Sequence, residues 1–171
     1  MELIPANVDG VAGLRMMVIL RAPGCVYARK TGGCTNCGFW HHLTTGGEPV
    51  AVDDYVAQLR AALDEHHDAL PRVLEVDLYC SGSLLADEEV PARARVGLLA
   101  LCAGLPALRR VVVESRPEYI TRESVAPLSA ALAPSAATLE VAVGLETVDD
   151  DLRCRSIRSL RSNHRRAPFY S

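Results

Sequence analysis

A chain of 171 residues is one domain's worth of sequence, and a hydrophobic content of 49% lets it bury a sizeable core, which excludes a disordered or fibrous protein. The net charge of −3 is unevenly spread: residues 153–171 carry six arginines and no acid, and the remainder carries 12 basic against 21 acidic residues, which argues against a broad nucleic-acid-binding face. No run reaches the ~18–20 apolar residues of a membrane-spanning helix, and MELIPANVDG lacks the basic-then-apolar pattern of a secretory signal, so the chain reads as soluble and cytoplasmic.

In chain order, RMMVIL (15–20) is a short apolar run ended by Ala22-Pro23-Gly24 and reads as a buried strand. Residues 21–49 hold three cysteines and six glycines with neither a helical nor a strand period, and read as one long functional loop. A helix follows over 53–67, with Val52, Val56, Leu59 and Leu63 on one face and Asp53 or Asp54 at its start. RVLEVDLY (72–79) is the next strand. Residues 87–103 read as a helix whose first turn holds Asp87, Glu88 and Glu89 and tolerates Pro91. RRVVVES (109–115) is a third strand, and a helix capped by Thr121 follows, shortened or kinked at Pro127. TLEVAVG (138–144) is a fourth strand, with a last helix starting at Asp149-Asp150. Strand and helix thus alternate four times, and the near-continuous apolar strands imply an α/β fold with a parallel sheet covered on both faces and function at the strands' C-terminal ends.

The cysteines carry the chemistry. With no export signal, clustered cysteines bind metal more often than they form disulfides. Cys25, Cys34 and Cys37 have the spacing C-x8-C-x2-C in the run GCVYARKTGGCTNCGFW. Thiolates suit an iron–sulfur cluster or zinc. Three ligands leave one metal position open, as a cluster that binds a cofactor requires, while His41 or His42 could complete a Cys3His zinc site. The loop alone leaves these two readings level. Cys80, Cys102 and Cys154 fall in strand or helix contexts and read as small core residues.

Three further segments stand at predicted strand ends: SGSLLADEEVP (81–91), VVESRPEYIT (112–121) and VAVGLET (141–147). With the cysteine loop they resemble the radical S-adenosylmethionine (SAM) superfamily, and most nearly its archaeosine-type members, which are similar to the Elongator catalytic-subunit group. The resemblance covers roughly residues 11–152. It implies a partial radical SAM (β/α) barrel of about four βα units of the usual six. Cys25, Cys34 and Cys37 would then ligate a [4Fe–4S] cluster. Ser81, Gly82 and Ser83 would stand where many relatives have a Gly-Gly-Glu that binds the SAM amine, without its carboxylate. Glu114 and Arg116 would face the cofactor, Arg116 suiting a carboxylate. Glu146 and Thr147 would approach the ribose hydroxyls, and Phe39 and Trp40 could cover the adenine or shield the cluster.

The implied chemistry is reductive cleavage of S-adenosyl-L-methionine to methionine and a 5′-deoxyadenosyl radical that abstracts a substrate hydrogen, with an external electron donor of the flavodoxin or ferredoxin type. By the same analogy the substrate class is a tRNA base. The likeness stops near Leu152, where relatives continue through two more strands, so 1–152 reads as a partial core and 153–171 as a basic tail, aberrant or disordered, that replaces the usual continuation. A truncated barrel of this kind is expected to bind a cluster more readily than to turn over; an inactive cluster-binding remnant and a non-catalytic zinc module are the alternatives.

Overall fold

A computed structural model of the chain describes residues 1–35, 37–39, 44–144 and 147–152. One five-stranded sheet runs in sequential order, with β1 (Glu2–Val8), β2 (Val11–Leu20), β3 (Val73–Cys80), β4 (Arg110–Ser115) and β5 (Thr138–Val143). β2 to β5 pair in parallel, while β1 is antiparallel to β2. The α/β class and the four βα units therefore stand. The sequence reading leaves out β1, which forms a hairpin with β2 through Asp9 and Gly10. Both turn residues have positive φ, 52° and 81°, as the tight turn between twisted antiparallel strands requires. β1 contains Pro5, which an edge strand tolerates because one side of its backbone has no ladder to join.

The helices are α1 (Val26–Thr31), α2 (Val52–Glu65), α3 (Ala92–Ala103), α4 (Arg122–Leu132) and α5 (Asp150–Leu152). Alternate residues of β2, β3 and β4 (Met16, Val18, Leu20, Val76, Leu78, Val111 and Val113) join Leu59, Leu98, Leu99, Leu128 and Leu132 of α2, α3 and α4 in one buried cluster. Because each strand neighbours the one before it, the crossover helices gather on one face of the sheet. On α2 the buried stripe is Tyr55, Leu59, Ala62 and Leu63; Val52 and Val56 stand at its margin, so the face is rotated toward Tyr55. Thr121 does cap α4: its hydroxyl accepts from the Ser124 N–H, and Ser124 accepts from the Thr121 N–H. Pro127 lies inside this 11-residue helix. Among the described residues no helix is long and apolar enough to cross a membrane.

The second sheet face corrects the expectation that both faces are apolar and covered. It carries Arg15, Glu75, Asp77, Tyr79, Arg110 and Glu140, drawn into an ionic ladder across four strands. Arg15 pairs with Asp77 and Glu75, Tyr79 donates to Asp77 at 3.0 Å, and Arg110 reaches Glu75 at 3.2 Å and Glu140 at 3.0 Å. Asp77 is fully buried, with Oδ2 held by Arg15 and Tyr79 and Oδ1 lacking a hydrogen-bond partner among the described residues. VLEVDLYC reads as continuous in burial because this pairing removes its charged alternate residues from water.

Candidate functional site

The cysteine segment leaves the C-terminal end of β2. Its base is closed by a parallel bridge between Ala22 and Thr44 and by the Thr45 N–H donating to the Ala22 carbonyl at 3.0 Å. Gly24, at φ 92°, lies close against Thr44. The segment is not wholly irregular, as the sequence suggests: α1 begins immediately after Cys25, which stands at its N-cap, and ends at Gly32 in a left-handed conformation. Six residues are too few to show a helical period, which is why the sequence pattern misses α1.

Cys25 is the best-anchored thiol. It is half-buried, Cys34 is also half-buried and Cys37 is exposed; none of the five described cysteines forms a disulfide. The Cys37 N–H donates to the Cys34 carbonyl at 3.2 Å, so the C-x2-C pair shares one turn. Burial pushes the Cys25 thiol above its ordinary pKa, against the backbone N–H groups of α1 and the guanidinium of Arg116, which donates toward Cys25 Sγ at 3.5 Å. Three thiols in one segment, one of them facing a guanidinium that can donate to a thiolate, fit the donor set of an iron–sulfur cluster. Among the described residues no three Cys, His, Asp or Glu side chains lie together at ligating distance, so cluster binding would have to draw the segment together, as metal binding commonly does. Trp40, His41 and His42 lie outside the described residues, as do Glu146, Cys154 and the 153–171 tail.

The residue that organises this region is Glu89, which the sequence pattern places only as an acid in the first turn of a helix. α3 instead starts at Ala92 with Pro91 as its N-cap, and residues 87–91 form a turn that folds Glu89 inward. Glu89 is 1% exposed. Its Oε1 accepts from the Val26 N–H at 2.9 Å and from Arg116 Nη2 at 2.9 Å, and its Oε2 accepts from the Ser83 N–H. Its carbonyl accepts from Tyr55 Oη at 2.6 Å. A buried carboxylate costs several kcal/mol unless it is paired and hydrogen-bonded; here three donors from three separate segments converge on it. Burial still pushes its carboxyl above the ordinary range, against the pull of the Ser83 and Val26 N–H groups and of Arg116. No local periodicity marks such a residue, because its partners lie 63, 6 and 27 positions away in sequence.

The SGS segment turns off the end of β3 against this carboxylate. Gly82 has φ 152°, and a Cβ there would fall onto the Glu89 carboxylate and lie 3.1 Å from Cys25 Cα, so only glycine lets the strands' ends and the cysteine segment approach this closely. Ser81 donates to the Phe39 carbonyl at 3.0 Å, which ties the residues after Cys37 to β3, while the Phe39 ring is 62% exposed. Ser83 Oγ accepts from both the N–H and Nε of Arg116 at 3.0 Å. Arg116 also donates to Tyr119 Oη at 3.1 Å, stacks over that ring at 4.9 Å and pairs with Glu118 at 3.3 Å. It is committed to protein groups, so a SAM carboxylate would have to share it with Glu89. Glu114 is half-buried, its carbonyl accepting from the Leu84 N–H at 2.9 Å. Thr147 lies beyond β5 and accepts from the Asp149 N–H at 3.1 Å. The structure thus gathers Cys25, Gly82, Ser83 and Arg116 around Glu89, with Ser81 and Phe39 joined at its rim.

No protein-family profile matches the chain. It is 36% identical over 150 residues to archaeosine synthase subunit beta of Methanosarcina acetivorans, an alignment covering 88% of this chain and 41% of that protein. It is 29% identical over 157 residues to archaeosine synthase subunit beta of Thermococcus kodakarensis, covering 88% of this chain and 45% of that one. The chain therefore spans less than half the length of these curated relatives. Among solved structures, queuine lyase from Clostridium spiroforme bound to SAM and queuine superposes with a TM-score of 0.54 at 16% identity, over 91% of this chain and 57% of that chain, a likeness of fold.

Proposed function

We infer, from a chain that is related to the archaeosine-type radical SAM proteins, that these residues form the portion of a radical SAM protein that binds a [4Fe–4S] cluster and SAM, in a tRNA-base-modifying context. The single observation that carries the reading is the anchoring of the cysteine segment to the C-terminal ends of β3 and β4: the N–H of Val26, next to Cys25, meets Ser83 and Arg116 at one buried carboxylate, and Arg116 reaches Cys25 Sγ. Strand C-terminal ends are where sheets of this class place their chemistry.

Cys25, Cys34 and Cys37 would hold the cluster, which when bound supplies the electron for reductive cleavage of SAM. The protein's part is to bind, orient and keep water away. Ser81, Gly82 and Ser83 would face the amino-acid end of SAM, Glu114 would face the cofactor, and Glu146 and Thr147 would approach the ribose hydroxyls. Phe39, largely exposed, supplies an apolar ring at the rim. The electron would come from a flavodoxin- or ferredoxin-type donor, and the substrate class would be a tRNA base.

Anaerobic reconstitution with iron and sulfide tests the reading directly. The expected product is a brown protein whose EPR spectrum, after reduction, is perturbed by SAM and whose iron uptake is lost when Cys25, Cys34 and Cys37 are replaced by alanine. A wild-type chain that takes up no iron and sulfide under these conditions overturns it. Release of 5′-deoxyadenosine, assayed separately, distinguishes an active centre from one that binds without cleaving.

A further inference from the structure

The geometry points to a second role for the buried Glu89–Arg116 pair: it is a positioning device that fixes Cys25 and holds a cationic N–H donor against its sulfur, setting the reduction potential of the bound cluster upward. This rests on the cluster-binding reading above and adds two residues that act through a ligand.

The argument begins with burial. Glu89 is 1% exposed, yet it belongs to neither a strand nor a helix and lies in the turn between β3 and α3. It accepts from the N–H of Val26, the residue next to Cys25, so the backbone of the first ligand is pinned to the β3–α3 turn. It also fixes Arg116, which Ser83 Oγ holds from the other side through Nε. With two of its nitrogens fixed, the third, Nη1, is left at 3.5 Å from Cys25 Sγ. Donors to ligand sulfur and nearby positive charge favour the more negative, reduced form of an iron–sulfur cluster and so raise its potential. Lysine at 116 would keep the charge but lacks the fork that serves Ser83, Glu89 and Cys25 at once.

Two experiments on the full chain test this. In the first, the wild type, Arg116→Met and Arg116→Lys are reconstituted anaerobically and titrated electrochemically with EPR detection. Arg116→Met is expected to lower the potential by at least a tenfold change in the preference for the reduced state, about 59 mV for a one-electron couple. Arg116→Lys is expected to fall between it and the wild type, and it substitutes for Arg116→Met where that variant loads no cluster.

The second experiment needs no metal. In the reduced apoprotein, Glu89→Gln is expected to raise alkylation of Cys25 relative to Cys37 by roughly tenfold, the factor for losing one hydrogen bond to a charged group. Cys80 and Cys102, which are buried, report loss of the fold if they react as well. Where Glu89→Gln unfolds, Glu89→Asp, which keeps the charge but shortens the reach, is read in the same way. An unchanged potential in a loaded Arg116 variant, or an unchanged Cys25:Cys37 ratio with Cys80 and Cys102 protected, overturns the inference. A wild type that loads no cluster fails the earlier reading instead, and leaves the alkylation result to judge the positioning role.

Discussion

Gly82→Ala should be strongly destabilising, because strain and close contact act at the same position. The residue has φ 152°, a backbone conformation close to glycine-only whose occupation by alanine costs about 1–3 kcal/mol. The new methyl would fall onto the Glu89 carboxylate and come within 3.1 Å of Cys25 Cα. Relief requires Glu89 to move, and that frees the buried N–H of Ser83 or Val26, at about 1–3 kcal/mol for an unsatisfied buried donor. Because the two effects share one relaxation they do not add fully, and about 3 kcal/mol is the reasoned sum. For a chain of this size that is a fall in Tm of about 6–12 °C. Gly10→Ala is the matched control: its φ is also positive, 81°, but no atom lies within 4 Å of the position where its Cβ would stand, so it carries only backbone strain. Urea unfolding of both variants under reducing conditions measures the difference. If Gly82→Ala costs no more than Gly10→Ala, the close approach of β3, Glu89 and Cys25 is not what holds this region together.

The remaining predictions address other parts of the molecule. Burial pushes the Cys102 thiol up to about 12 and the Cys80 thiol well above its usual value. The unfolded thiols ionise first, so the stability these neutral groups contribute is intact below their ordinary pKa and drains as pH rises toward the folded value. At pH 10 the Cys102 shift costs on the order of 1 kcal/mol, and Cys102→Ala should flatten the decline of Tm between pH 7.5 and 10; parallel slopes would contradict this. Thr121→Ala removes one side of the reciprocal cap on α4 and should cost about 1 kcal/mol in urea unfolding. Asp77→Asn leaves the Arg15 and Tyr79 donors facing a weaker, neutral acceptor at a fully buried position and should cost about 1–3 kcal/mol by the same assay.

What could be read from the sequence depended on whether the cause was local. VLEVDLYC, RVVVES and TLEVAV announce themselves as strands through apolar and β-branched side chains, and Thr121 marks a helix start because a cap is a local motif, here closed within residues 121–124. β1 was hidden: ELIPANV contains a proline and mixed polarity, and the Asp9-Gly10 turn is its one strong signal. The polar sheet face was hidden in plain view, since Glu75, Asp77 and Tyr79 alternate within β3 but look like a continuous buried run until Arg15 and Arg110 are seen across from them. At the site, the cysteine spacing and the strand-end motifs were legible, whereas Glu89 was not. Its importance comes from Val26, Ser83 and Arg116 arriving from three different segments, and a contact made only by tertiary folding leaves no trace in local pattern.

That same convergence puts a clock on the chain's synthesis. Cys25, Cys34 and Cys37 leave the ribosome long before their supports: the Glu89 turn comes some sixty residues later, and Arg116 later still. Strands paired in sequential order can assemble as they emerge, but the first thiol stays untethered until β4 has been made and its end has folded back. Any chemistry that reaches Cys25 on the nascent chain before that moment meets a thiol without its Arg116 donor, and any that waits meets one already held.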